Sequence, residues 1–220
     1  MRDSFNLNTM KVCEIFTSLQ GESTYAGQLS TFIRFSGCNL RCAYCDTKYA
    51  YTGGTELTEA EIMNEVSIVG VNLISITGGE PLVQEGVFHL VEKFLNEGHK
   101  VLIETNGSLS IKDVDPRAVV IMDVKTPASG MSEDLDISNL DFLKPSDEVK
   151  FVIVDRGDYE WSRDFIREYM LRERCKVLFS PAFSLLEPDA LANWMIQDRL
   201  DAIFNLQAHK YIFGPNKRGV

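Results

Sequence analysis

Cys38, Cys42 and Cys45 fall in the run Cys-Asn-Leu-Arg-Cys-Ala-Tyr-Cys, three thiols within eight residues at the spacing CxxxCxxC. Soft thiolates so close together on one loop can converge on a metal centre, and both zinc and iron–sulfur clusters accept such ligands. Structural zinc needs a fourth ligand, for which the chain offers only the distant Cys13 and Cys175 or one of three histidines. A four-iron cluster held by three cysteines instead leaves one iron open to a substrate or cofactor, which suits catalysis better than electron transfer alone. Farther on, Thr77-Gly-Gly-Glu80-Pro81 places two glycines where a backbone could turn tightly or approach a ligand.

These groups need a scaffold that gathers them. Short β-rich runs at 31–35, 73–77, 101–105, 119–124, 149–154 and 176–179 predict strands, and segments with helical features separate most of them. Thr58 and Glu61 form a capping box ahead of Ile62 and Val66. Trp161, Phe165 and Tyr169 make one apolar helical stripe, and Pro188 suits the first turn of a helix reaching Gln197. Such alternation predicts a parallel sheet with crossover helices: an α/β single domain over 1–220, a truncated, modified (β/α) partial barrel of about six units. A doubly wound open sheet is the structural alternative. Both collect functional groups beyond the carboxyl ends of the strands. The polar positions agree with this, since Cys38, Gly78 and Gly79, Asn106 and Gly107, Lys125 and Ser180 each follow a predicted strand.

Composition narrows the function classes. The 220 residues are 45% hydrophobic and 25% charged, which excludes disorder and collagen-like structure. With a formal net charge of −10 the chain lacks the general attraction of a basic protein for nucleic acid or anionic membrane. No apolar stretch is long enough to span a bilayer, and residues 1–9 carry no signal-peptide apolar core. Five cysteines in a chain this long do not read as a secreted disulfide framework, so a reducing cytoplasm is expected. Cys13 and Cys175 are expected to be small buried side chains.

CxxxCxxC with Tyr44 before its last cysteine, followed by the ThrGlyGlyGluPro run, resembles the radical S-adenosylmethionine superfamily. A second layer of residues resembles the 7-carboxy-7-deazaguanine synthase family. It comprises Ser18-Leu-Gln-Gly-Glu22, Phe32-Ile-Arg-Phe-Ser-Gly-Cys38, Cys45-Asp-Thr-Lys48, Glu104-Thr-Asn-Gly107 and Gln207-Ala-His-Lys-Tyr211. The resemblance implies a [4Fe-4S] cluster on Cys38, Cys42 and Cys45, and an S-adenosylmethionine cofactor whose cleavage gives a 5′-deoxyadenosyl radical. It also implies Mg2+ on Thr47. The substrate implied is 6-carboxy-5,6,7,8-tetrahydropterin. The radical would take hydrogen from its C6, the ring would contract to 7-carboxy-7-deazaguanine with loss of ammonia, and the cofactor would be regenerated. That reaction belongs to queuosine and 7-deazapurine formation. The partners implied are an electron donor such as flavodoxin or ferredoxin and a second copy in a homodimer, with no nucleic acid and no membrane.

Residue by residue, the resemblance puts Tyr44 and Asp46 beside adenine and ribose, with Cys45 bordering the cofactor. Gly79 and Glu80 meet its methionyl end, and Asp123, Val124, Lys125, Ser180 and Pro181 line its remaining surface. Leu19, Gln20, Gly21 and Glu22 read the pterin edge. Arg34, whose planar fork allows bidentate contact, takes the carboxylate. Thr77 touches the substrate, while Glu104, Asn106 and His209 complete the pocket. The tail 215–220 runs longer than the ending of some relatives, in which the chain terminus approaches the substrate, and Ser180 stands where some members carry glutamine. Two other readings remain at this point: an activase that installs a glycyl radical in a partner protein, and a noncatalytic iron–sulfur or zinc module.

Overall fold

A computed structural model describes residues 9–220; residues 1–8, within the stretch expected to lack a signal-peptide core, lie outside the described residues. One nine-stranded sheet runs through the chain. Its strands are β1 (Thr9–Leu19), β2 (Leu29–Phe35), β3 (Thr55–Thr58), β4 (Leu73–Gly78), β5 (Lys100–Thr105), β6 (Val119–Asp123), β7 (Glu148–Ile153), β8 (Lys176–Pro181) and β9 (Ile203–Phe204). The helices are α1 (Glu59–Val69), α2 (Val87–Asn96), α3 (Arg156–Glu168), α4 (Pro188–Asp198) and α5 (Ala208–Phe213). All six predicted strands are present. The structure adds β1, β3, β9, α2 and α5. Among the described residues no helix is long and apolar enough to cross a membrane.

The strand order β3-β1-β2-β4-β5-β6-β7-β8-β9 chooses between the two architectures. From β2 through β9, apart from β3 at the far edge, the strands are laid down in chain order and pair in parallel. A doubly wound sheet would reverse direction at a central strand. Successive right-handed crossovers in one direction put the helices on one face and curl the sheet around the other, giving a partial barrel with β3 and β9 as open edges. β1 and β3 join antiparallel at the β2 side.

Side-chain alternation then divides the labour. Ile33, Phe35, Ile74, Ile76, Ile103, Val120, Met122, Phe151 and Phe179 face outward and pack under Ile62 and Val66 of α1, Leu90 and Phe94 of α2, Phe165 of α3 and Leu191 of α4. Each such fully buried side chain contributes about 1.5–3 kcal/mol by area. The predicted capping box is made: Thr58 Oγ1 accepts from Glu61 N at 3.3 Å and Glu61 Oε2 accepts from Thr58 N at 2.8 Å. The Trp161 and Phe165 rings stack at 5.1 Å, and Tyr169 continues the stripe at 4.5 Å from Phe165, just past the end of α3.

The inward positions are Phe32 and Arg34 on β2, Ser75 and Thr77 on β4, Glu104 on β5, Ile121 and Asp123 on β6, and Lys150 and Val152 on β7, fixed by register. The amino-terminal end of this concave face is sealed. Tyr25, from the loop after β1, packs on Leu73, Leu102, Val119 and Ile121. Thr24 N donates to the buried Glu148 at 3.1 Å, and Ser23 N donates to Asn205 Oδ1 at 3.2 Å. The concave face opens at the carboxyl ends of the strands.

Candidate active site

A cavity of about 580 Å³ opens at those carboxyl ends, with Cys38, Cys42 and Cys45 on its rim. The thiol loop leaves β2 through Gly37 and is locked to the loop after β4. Gly79 N donates to Phe35 O at 3.1 Å and Glu80 N to Gly37 O at 2.8 Å. A Cβ at position 79 would lie 2.0 Å from Gly37 O and 2.9 Å from the Cys38 Cβ, so only glycine permits this approach. Arg41 Nη1 donates to the carbonyls of Cys38 and Leu40, each at 2.7 Å, and its guanidinium lies 4.3 Å from the centroid of the Tyr51 ring. The loop's backbone is therefore held before any metal arrives.

The three thiols are free and partly exposed. Burial pushes Cys38 and Cys42 above the usual thiol range, a cost that binding a cation would offset. Asn106 Nδ2 lies within donating distance of Cys38 Sγ at 3.9 Å. Of the two remaining cysteines, Cys175 is buried and Cys13 is partly exposed on β1, and neither lines the cavity. Among the described residues no three His, Cys, Asp or Glu side chains are gathered as they would be around a lone ion. The donor set, three soft thiols on one pinned loop with no fourth beside them, fits a cluster with one open iron.

Opposite the thiols, the loop after β1 supplies an amide and a carboxylate. Gln20 Nε2 donates to Glu104 Oε1 and to Ser75 Oγ, both at 3.0 Å, and Thr77 Oγ1 donates to Glu104 Oε2 at 3.1 Å. Glu22 accepts from Lys150 Nζ at 2.5 Å through Oε2 and from Gln207 Nε2 at 2.8 Å through Oε1. Burial raises the Glu22 carboxyl, but Lys150 and His209 outweigh it and hold the group well below its usual range. Gly21 meets His209 edge to edge, since a Cβ there would lie 2.3 Å from His209 Nδ1. Arg34 Nε donates to Glu14 Oε1 at 2.8 Å, and Tyr49 donates to the same oxygen at 2.9 Å. The terminal nitrogens of Arg34 have no protein partner among the described residues, and Arg34 lines the cavity.

Between these walls, Lys125 Nζ donates to Asp123 Oδ2 at 2.7 Å, while Asp123 Oδ1 is buried without a partner among the described residues. Lys125 stays charged, because the paired Asp123 carboxylate outweighs its burial. The Tyr44 phenol is pushed up to about 12 by burial, with the Asp123 charge adding to it. Thr47 Oγ1 donates to Asp46 Oδ1 at 2.8 Å, and Lys210 Nζ lies 2.5 Å from Asp46 Oδ2. Leu19, Gly79, Asn106 and His209 also line the cavity.

Four expected side chains do not reach it. Glu80 is fully buried and turned back under the loop, accepting from Asn106 N at 2.7 Å, Thr105 Oγ1 at 2.8 Å and Leu82 N at 3.0 Å. Its motif position serves loop geometry. Val124 follows inward-facing Asp123, so alternation sends it into the outer core. Ser180 is covered by Asn205, to which its hydroxyl donates at 3.2 Å, and Pro181 takes the outward register beside Ile153. In their place Ala182 to Leu185, one step farther along, line the wall. The sequence reading assigns Lys150 nothing, and it carries Gln207 and Lys210 only as members of the motif around His209, without a role in the pocket. A lysine inside the apolar run Val149-Lys-Phe-Val-Ile was the available signal for the first. Pro215, Asn216 and Val220 bring the tail to the cavity mouth.

A model of the radical SAM superfamily matches residues 32–170. Proteins named 7-carboxy-7-deazaguanine synthase are similar to nearly the whole chain. The one from Koribacter versatilis is 45% identical, covering 96% of this chain and 100% of its own length. That from Chlorobaculum tepidum is 42% identical, covering 96% and 97%. The crystal structure of QueE from Escherichia coli superposes with a TM-score of 0.77 at 20% identity, covering 91% of this chain and 95% of that one, a likeness of fold. A partial barrel with three thiols at its cavity, matched along its length by relatives of one name, leaves one conclusion: the chain belongs to the radical SAM superfamily and, within it, to the 7-carboxy-7-deazaguanine synthase family.

Proposed function

We propose that this protein converts 6-carboxy-5,6,7,8-tetrahydropterin to 7-carboxy-7-deazaguanine and ammonia, the whole chain 1–220 acting as one radical SAM core. The observation that carries the reading is that the thiol triad and a set of guanine-edge partners, Gln20, Glu22 and Glu104, share one cavity with the partly free Arg34 fork. Cys38, Cys42 and Cys45 would hold a [4Fe-4S] cluster, which together with bound S-adenosylmethionine would supply the radical chemistry for reversible hydrogen abstraction at C6 of the pterin.

The chain's own residues place the reactants. Tyr44, Asp46, Gly79, Asp123 and Lys125 hold the cofactor, and the unpartnered Asp123 Oδ1 is suited to accept from a hydroxyl. Arg34 is already oriented by Glu14 through Nε, so its two terminal nitrogens take the substrate carboxylate as a fork. Leu19, Gln20, Gly21 and Glu22 read the pyrimidine edge, with Thr77, Glu104, Asn106 and His209 around it. Thr47 donates its hydroxyl hydrogen bond to Asp46, which leaves the oxygen lone pairs for Mg2+, a hard ion that prefers oxygen. The working form is a cytoplasmic homodimer, reduced by flavodoxin or ferredoxin.

Anaerobic reconstitution tests the proposal. Conversion of the pterin is expected only with S-adenosylmethionine, reductant and magnesium all present. Cluster-replete protein that leaves the pterin unchanged under those conditions refutes it.

A further inference from the structure

Strand β7 carries an ammonium where its neighbours are apolar. Lys150 points to the concave face, opposite Asp123 on β6 and Leu178 on β8, and its side chain is only 9% exposed. Its Nζ lies 2.5 Å from Glu22 Oε2 and 3.7 Å from Asp123 Oδ2. An unpaired ammonium here would cost several kcal/mol, so the two carboxylates and the lysine stand or fall together. Glu22 uses one lone pair of Oε2 on Lys150 and one of Oε1 on Gln207. A carboxylate has about four such positions, so each oxygen keeps one without a protein partner among these bonds, and Glu22 lines the cavity.

We propose that Lys150 is a positioning residue for specificity: it keeps Glu22 ionised and turned so that its two open acceptor sites meet the adjacent N–H donors of a 2-amino-4-oxo pyrimidine ring. The inference deepens the pterin reading above and rests on it. A 2-amino-4-oxo edge presents N3–H beside the 2-amino group, two donors for two acceptors. A 2,4-dioxo edge presents N3–H beside a carbonyl, which sets oxygen against oxygen when Glu22 is ionised. A protonated Glu22 offers one donor and one acceptor and fits the 2,4-dioxo edge instead. The charge state that Lys150 enforces therefore decides which ring is accepted.

Other groups bear on Glu22 from the elements around it. His209 on α5 favours its ionised form and Asp46, itself paired with Lys210, opposes it. Asp123 and Glu104 face Lys150. Lys150 is the cation in contact with Glu22, so its loss leaves burial to drive the carboxyl upward.

The test compares cluster-reconstituted full-length protein with Lys150→Met, Lys150→Arg, Glu22→Gln and the Lys150→Met/Glu22→Gln pair. Each is assayed with the carboxytetrahydropterin and offered its 2,4-dioxo analogue as a competing ligand. In Lys150→Met the KM for pterin is expected to rise roughly a hundredfold while kcat changes less than about tenfold, with a larger defect at pH 6 than at pH 8. Its preference for the 2-amino ring should fall at least about tenfold, because the analogue gains what the pterin loses. Lys150→Arg should restore the preference, and Lys150→Met should add little in the Glu22→Gln background. Unchanged KM and preference in Lys150→Met overturn the proposal, as does an equal defect with or without Glu22. Should Lys150→Met not fold, Lys150→Gln must show the same loss of preference, and its absence overturns the proposal equally. Wild-type protein that fails to convert the pterin overturns the activity and this inference together. Wild-type conversion with an unaltered variant overturns the role of Lys150 alone.

Discussion

Replacing Arg34 by alanine tests whether the cavity recognises a carboxylate. Arg34 is held by Glu14 at 2.8 Å and flanked by the Phe16 and Tyr49 rings, 5.6 and 5.9 Å from its guanidinium carbon. Its Glu14 pair is partly exposed, with side chains 17% and 21% accessible, and pairs of that kind contribute about 0–1 kcal/mol. Each cation–π contact adds about 0.5–1 kcal/mol, so the substitution costs the fold about 1–3 kcal/mol and Glu14 keeps the Tyr49 hydroxyl. The bidentate contact to a substrate carboxylate is the larger loss. A charge-assisted contact of about 3 kcal/mol corresponds to roughly a 150-fold drop in kcat/KM. The assay is steady-state turnover of the carboxytetrahydropterin, alongside inhibition constants for two pterins that differ only in the carboxylate. Arg34→Ala should weaken the carboxylated inhibitor by about that factor and leave the other within about threefold, with iron content unaltered. Equal weakening of both inhibitors, or none, refutes the carboxylate assignment.

Gly79→Ala should lose cluster loading, since its Cβ would meet the Gly37 carbonyl and the Cys38 side chain at 2.0 and 2.9 Å; iron per chain after identical reconstitution is the readout, and full loading counts against the pinned loop. Thr47→Ala should keep the cluster absorption and lose the stimulation of turnover by magnesium; an unchanged magnesium response removes Thr47 as its ligand. Stability should follow the Glu22 and Lys150 charges. Glu22 is held below its usual 4.5, so its contribution is present above that pH and is lost on acidification toward its lowered folded value. Lys150 is held above its usual 10.5, so its contribution is complete below that pH and is lost only in stronger alkali. The urea midpoint of wild type relative to Lys150→Met/Glu22→Gln should therefore be level from about pH 6 to 9 and shrink below about pH 4.5. A difference that grows on acidification contradicts the sign.

The sequence by itself determined the chemistry at the rim and the kind of fold beneath it. Three cysteines within one turn-sized loop can only be neighbours, because the chain between them is too short to separate them. Runs such as Leu73-Ile-Ser-Ile-Thr and Val101-Leu-Ile-Glu-Thr read as strands because branched side chains and alternation are local properties. β1, with lysine, cysteine and glutamate among its apolar residues, reads poorly alone, and it forms because β2 and β3 supply hydrogen-bonding partners on both sides. Tertiary structure decided three further matters. Strand order made the sheet a partial barrel, which depends on where each crossover lands. Alternation against the core turned Val124 and Pro181 away from the cavity, while Glu80 found three donors beneath its loop. Lys150 and Glu22 lie 128 positions apart in the chain, and only the closing of β7 onto the loop after β1 brings them to 2.5 Å, so the charge that governs the pocket belongs to the fold.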